Sequence, residues 1–183
     1  MTSTDAPAST QAQALASGVS AMVRRRIEHV DTDASGVVHF SRYVSLMESV
    51  VLDHLEDNGA GLSVLAGLGA DLAVTELQVR YRRPVVYRDT IAGDAVVEHV
   101  GGARFRVAAT LLREEPDGSC TELASGVLTF AAVHPTTGGA VPLPPAIRHT
   151  LKGIASDAAR HDRAAGTSDG TGHAPAAEPA GAR

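Results

Sequence analysis

The chain changes its hydrophobic period near Gly69, and that switch restricts its possible folds more than any other feature. Before it, Phe40, Val44, Met47, Val51 and Leu55 recur at steps of four, three, four and four. Such spacing predicts one continuous helical stripe. Leu46, Val50 and Leu52 widen the apolar surface, so this helix should be wrapped on several sides. Ser41 is the predicted N-cap and Asn58-Gly59 the stop.

After Gly69 the period becomes two. Ala73, Thr75, Leu77, Val79 and Tyr81 alternate with mostly polar neighbours until Pro84. Ile91–Val100 is a further strand, weakened by Gly93, and Phe105, Val107, Ala109 and Leu111 alternate again. Pro116-Asp117-Gly118 turns the chain into Cys120–Val133, which predicts a hairpin. Pro135 and Thr137-Gly138-Gly139 announce another turn and a short closing segment. With Val23–Val30 as a first strand, the order is strand, long helix, four strands. That is an α+β arrangement, one helix set against an antiparallel sheet.

The ends differ from this middle. Residues 1–21 are rich in Ala, Ser and Thr without periodicity and are expected to form a flexible arm. Residues 152–183 hold too few large apolar side chains to offset the entropy of ordering them, so a disordered tail is expected. The folded unit is then 22–151. A lone Cys120 excludes an intramolecular disulfide and suits a reducing, cytoplasmic setting. The most apolar window, Leu62–Val74, is short and broken by Asp71, so it cannot span a bilayer. A net charge of -5 and aromatics at only 3% speak against nucleic-acid partners, which need a basic face or stacking platforms.

Directly before the helix stands Asp31-Thr32-Asp33-Ala34-Ser35-Gly36-Val37-Val38-His39-Phe40-Ser41-Arg42-Tyr43. A carboxylate facing the first amides of a helix can attack a carbonyl while backbone N–H groups receive the developing oxyanion. The plainer reading of Asp33 is a turn cap that accepts backbone hydrogen bonds. Asp31 is expected to shape the loop, and Gly36 to supply a conformation or a close approach that a Cβ forbids. Tyr43 either lines the pocket or packs.

The spaced pattern Asp31-x-Asp33-x-x-Gly36-x-Val38-x-Phe40-x-x-Tyr43, with the long helix and strand order, resembles the hot-dog fold. Its likeness is to the 4-hydroxybenzoyl-CoA thioesterase-like branch, over roughly Val23–Leu151. The resemblance implies a five-stranded antiparallel sheet wrapped around one central helix. It implies hydrolysis of acyl thioesters of coenzyme A or acyl carrier protein, with no cofactor or metal. Asp33 then falls at the catalytic carboxylate and the Phe40 N–H at the carbonyl-polarising amide. Active sites between subunits imply a homodimer or homotetramer.

This chain departs from the commoner pattern where relatives carry Tyr-His and it has His39-Phe40, and where they carry Asn and it has Arg42. The family's members in polyketide pathways include some without the second Asp, which this chain keeps. An aryl or polyketide acyl group is the preferred substrate class. Two rival readings are a hydratase or dehydratase using His39 with Glu48, and a non-catalytic acyl-thioester binder. Glu48, amid apolar neighbours, is expected to pair with an arginine of the sheet, or else to face the site across a subunit boundary. Arg80, Arg82, Arg83 and Arg88 either hold the phosphates of the substrate or charge a solvated strand edge. His29, Asp31, Asp33 and His39 could in principle collect a metal, but no second, well-spaced ligand set supports one and the resemblance speaks against it.

Overall fold

A computed structural model describes residues 23–166, with side chains to residue 160. The expected arm at 1–21 and the last part of the expected tail lie outside the described residues. Strand β1 (Val23–Arg26) is followed by a 3-10 turn (His29–Asp31), helix α1 (Phe40–Asp57) and a short α2 (Leu62–Gly67). Strands β2 (Asp71–Tyr81), β3 (Thr90–Val100), β4 (Arg104–Glu114) and β5 (Cys120–Val133) follow, then α3 (Pro145–Gly166). The strands form one antiparallel sheet in the order β1-β3-β4-β5-β2. This is the expected α+β architecture, with the sheet curled against α1.

Helix α1 turns Tyr43, Leu46, Met47, Val50, Val51 and Leu55 into the core. They meet Val97, Phe105, Val107, Leu128 and Phe130 from the sheet, where the Phe105 and Phe130 rings stack at 5.3 Å between register partners. Two glycines set how closely the helix approaches. A Cβ on Gly93 would lie 2.2 Å from Val50, and one on Gly126 would lie 2.6 Å from the Gln78 carbonyl and 2.9 Å from Met47 Sδ. Gly93 costs its strand propensity and gives the helix its seat.

Several boundaries differ from the sequence expectations. The first strand ends at Arg26, because the chain then closes the 3-10 turn that carries Asp31. His39, and not Ser41, caps α1: its Nδ1 accepts the Ser41 N–H at 3.3 Å. The alternation of β2 is broken by a bulge at Thr75, where the register jumps from Val74 to Glu76. Part of the apolar window 62–74 forms α2, with Leu65 fully buried. The expected disorder from residue 152 is corrected over 152–166, which continue α3. Ile147 and Leu151 are buried, with Ile154 packed against the same core, so a sparse stripe suffices where a groove already waits.

Candidate active site

The segment before α1 folds as a small hairpin. Asp33 N–H donates to the Val37 carbonyl at 2.9 Å, and Thr32 pairs with Val38. Gly36 closes its turn at φ +79°, a left-handed conformation costly for a residue with a Cβ, as expected of this glycine. The hairpin is fastened on two sides. Val38 N–H donates to the Val85 carbonyl at 2.8 Å, and His39 N–H to the Asp31 carbonyl at 3.0 Å.

Asp33 Oδ1 accepts from Ser35 N–H (2.8 Å), Ser35 Oγ–H (2.5 Å) and Val37 N–H (3.4 Å). Oδ2 takes none of these three. The turn-capping role is therefore real, and it leaves one oxygen of the carboxylate uncommitted to it. The Ser35 hydroxyl and amide hold the Asp33 carboxyl below the usual carboxylate range, with Val37 and His39 adding to the effect. The side chain stays ionised at neutral pH and is exposed in the single chain.

At the mouth of α1, Ser41 N–H is taken by His39 Nδ1 and Arg42 N–H by the His39 carbonyl at 2.8 Å. Phe40 N–H, the first amide of the helix, finds no acceptor among the described residues. It is the orphan donor that a helix start leaves over. The Phe40 side chain is 65% exposed, with the His39 ring tilted against it at 4.4 Å. His39 also shares a 2.8 Å hydrogen bond with Ser41 Oγ.

Two features around this junction were not visible in the sequence. Asp31 is buried, and its Oδ1 accepts from Arg42 Nε (2.9 Å) and Nη2 (2.5 Å) while Oδ2 accepts the Glu28 N–H at 2.9 Å. Burial works against the Asp31 charge, yet the Glu28 amide and the Arg42 guanidinium outweigh it and lower the carboxyl below its ordinary range. Tyr81, at the end of β2, donates its hydroxyl to the Phe40 carbonyl at 3.2 Å and sets its ring edge-on to Tyr43. Tyr43 itself is buried and accepts the Val85 N–H at 3.2 Å, so within the chain it packs and braces the loop. Burial raises its phenol above the ordinary value.

Asp33, Gly36, His39, Phe40 and Tyr43 thus share one hairpin–helix junction. The arginines do not share one place. Arg80 and Arg82 line a groove with Ala108, Thr110, Ser125 and Val127, and Arg82 pairs with Glu122 at 3.3 Å. Arg88 lies in a separate cleft beside Arg26, and Arg83 N–H is held by the Leu123 carbonyl at 3.1 Å. Glu48 is half-buried on α1 and forms no ion pair among the described residues, so the expected arginine partner is not there. His39 and Glu48 stand nine residues apart, roughly 13 Å along a helix, too far for one proton-transfer pair in a single chain. No group of three or more His, Cys, Asp or Glu among the described residues is arranged to hold a metal. No helix there is long and apolar enough to cross a membrane.

A curled antiparallel sheet against one long helix, with an acidic hairpin at the helix mouth, defines a hot-dog protein. The profile of the thioesterase-like superfamily matches residues 27–151, and the chain belongs to that family. It is 26% identical over 131 residues to a 1,4-dihydroxy-2-naphthoyl-CoA hydrolase of Picosynechococcus, a match covering 70% of this chain and 90% of the relative. Among solved structures, the DHNA-CoA thioesterase of Staphylococcus aureus superposes with a TM-score of 0.68 at 18% identity, covering 76% of this chain and 93% of that one. The dynemicin thioesterase, described as binding a polyene, gives 0.63 at 21%, with coverages of 73% and 95%. These two likenesses speak for the fold.

Proposed function

We propose that the chain hydrolyses an acyl thioester, releasing a free acid and a thiol, with Asp33 as the base or nucleophile and the Phe40 N–H as oxyanion donor. The reading rests on one observation above all: an ionised carboxylate with a spare oxygen and an unclaimed helix-start N–H occupy the same short junction. A thioester carbonyl needs only those two things. Asp33 either attacks the carbonyl carbon, expelling the thiolate and leaving an anhydride that water opens, or takes a proton from a water that attacks. In both routes charge builds on the carbonyl oxygen, and the N–H at the helix start stabilises it.

In the single chain this junction is open. Val30, Phe40 and Tyr81 are exposed near it, and β2 is an unpaired sheet edge among the described residues. We infer that a second copy of the chain covers this face and completes the acyl pocket, giving a homodimer or a homotetramer. The substrate class follows the relatives: an aryl or polyketide-type acyl group carried on coenzyme A or on a carrier protein.

Thiol release from a panel of aryl, polyene and alkyl acyl thioesters tests the reading. Asp33→Asn keeps the Oδ1 acceptor for the turn, so the protein should melt as the wild type does. Its turnover should fall by about 10²–10⁴, the contribution of a positioned acid–base group. Full turnover in that variant, or a panel on which the wild type releases no thiol, refutes the assignment.

A further inference from the structure

On the flank of the catalytic hairpin lies a cleft of about 410 Å³ lined by Arg26, Ile27, Glu28, His29, Tyr87 and Arg88. It adjoins the site through the backbone: Val86 bridges Val37, and Tyr87 and Arg88 follow it in the turn that leads to β3. Arg88 is the only residue other than glycine with positive φ, at 74°, among the described residues. A β-carbon is disfavoured there, and Gly or Asn is the ordinary occupant. The conformation is imposed by its surroundings. Arg88 N–H donates to the Ile27 carbonyl (3.1 Å), Ile27 N–H to the Asp89 carbonyl (2.9 Å), and Val86 N–H to Asp89 Oδ2 (3.1 Å).

The sequence therefore places a long cation where the backbone favours no side chain. The turn also fixes the direction of that cation. The Arg88 guanidinium lies 5.2 Å from the centre of the Tyr87 ring, and the His29 ring meets Tyr87 edge-on at 6.0 Å. Neither Arg26 nor Arg88 forms an ion pair among the described residues; the acidic side chain lining the cleft is Glu28. Two uncommitted guanidinium groups beside an exposed aromatic ring suit a ligand that carries both phosphate and a flat base. A guanidinium stacked on a ring still presents its N–H fork to phosphate oxygens.

We propose that this cleft binds the nucleotide end of coenzyme A, with Arg26 and Arg88 on its phosphates and Tyr87 against its base. The identity of the ligand rests on the thioesterase reading; the binding itself does not. A carrier-bound phosphopantetheine offers the same phosphate chemistry without the base, so the two sources can be separated.

Calorimetric titration of the full chain with adenosine 3′,5′-bisphosphate, 4′-phosphopantetheine and pantetheine makes the test. The nucleotide should bind, and pantetheine should not. Arg88→Gly should weaken nucleotide binding about tenfold or more, the loss of one charge-assisted contact. The same variant should melt no lower than wild type, because glycine relieves the left-handed backbone. Arg26→Gln should give a similar loss. For an acyl-CoA substrate, KM should rise about tenfold in both variants with kcat unchanged, while the matching acyl-pantetheine thioester is unaffected.

The proposal is overturned if the bisphosphate does not bind, if both variants bind it as wild type does, or if phosphopantetheine binds as tightly as the nucleotide. Nucleotide binding without thioester turnover would leave this proposal standing and remove the hydrolase. Turnover that is indifferent to both arginines would do the reverse.

Discussion

Replacing Arg42 with Met should loosen the acidic hairpin before α1 at its base. In the wild type the Asp31 side chain is 8% exposed and depends on three donors, of which Arg42 supplies two. The variant strands Oδ1 of a buried carboxylate while the Glu28 N–H still serves Oδ2. A fully buried pair broken this way would cost about 3–5 kcal/mol. Arg42 is 41% exposed, so water reaches the pair and softens the loss. About 1.5–3 kcal/mol, the range for hydrogen bonds to charged groups, is the working figure. For a domain of this size that is a fall of roughly 5–10 °C in melting temperature.

The pH dependence gives a sharper check. The folded Asp31 carboxyl is lowered, so its contribution is present above its unfolded value of about 3.9 and lost as pH falls through the folded value. Without Arg42 the carboxyl loses two of the influences that lower it and takes up its proton at higher pH than in the wild type. Urea denaturation at pH 7 and at steps down to pH 3 should show a stability gap between wild type and variant that narrows with acidification. Adding Asp31→Asn to the variant should restore part of the loss. A gap below about 0.5 kcal/mol at pH 7, or one that stays constant across the series, would refute the reasoning.

Gly93→Ala and Gly126→Ala should each destabilise by about 1–3 kcal/mol through overpacking, measured by chemical denaturation. Gly126→Ala should be the worse of the two, since its obstacle includes the Gln78 backbone carbonyl of the neighbouring strand and not a side chain alone. Tyr43→Phe leaves the buried Val85 N–H without its acceptor and should cost about 1–3 kcal/mol while thiol release stays within a few-fold of wild type.

Local signals were legible where they were dense. The stripe from Phe40 to Leu55 found α1, and the Asn58-Gly59 stop is where Asn58 ends it, with Gly59 at φ +71°. Cys120–Val133 was bounded correctly because a Gly turn and a proline-rich stretch flank it. The Asp/Gly hairpin was readable because its residues lie within a few positions of one another. What the sequence hid was long-range. Nothing in the spacing of Asp31 and Arg42, or of Tyr81 and Phe40, announces that they touch. The four arginines of 80–88 looked like one patch, yet Arg80 and Arg82 line one groove and the turn before β3 carries Arg88 to a separate cleft. Helix α3 was missed because its stripe is thin and derives its stability from a core built by other elements.

The bond from the Tyr81 hydroxyl to the Phe40 carbonyl joins the last residue of the outermost strand to the first residue of the central helix. Whatever settles along that rim must therefore either respect this tether or tug on it. The sheet edge and the aim of the helix mouth are thus one mechanical system, and a substitution that disturbs either will register in the other.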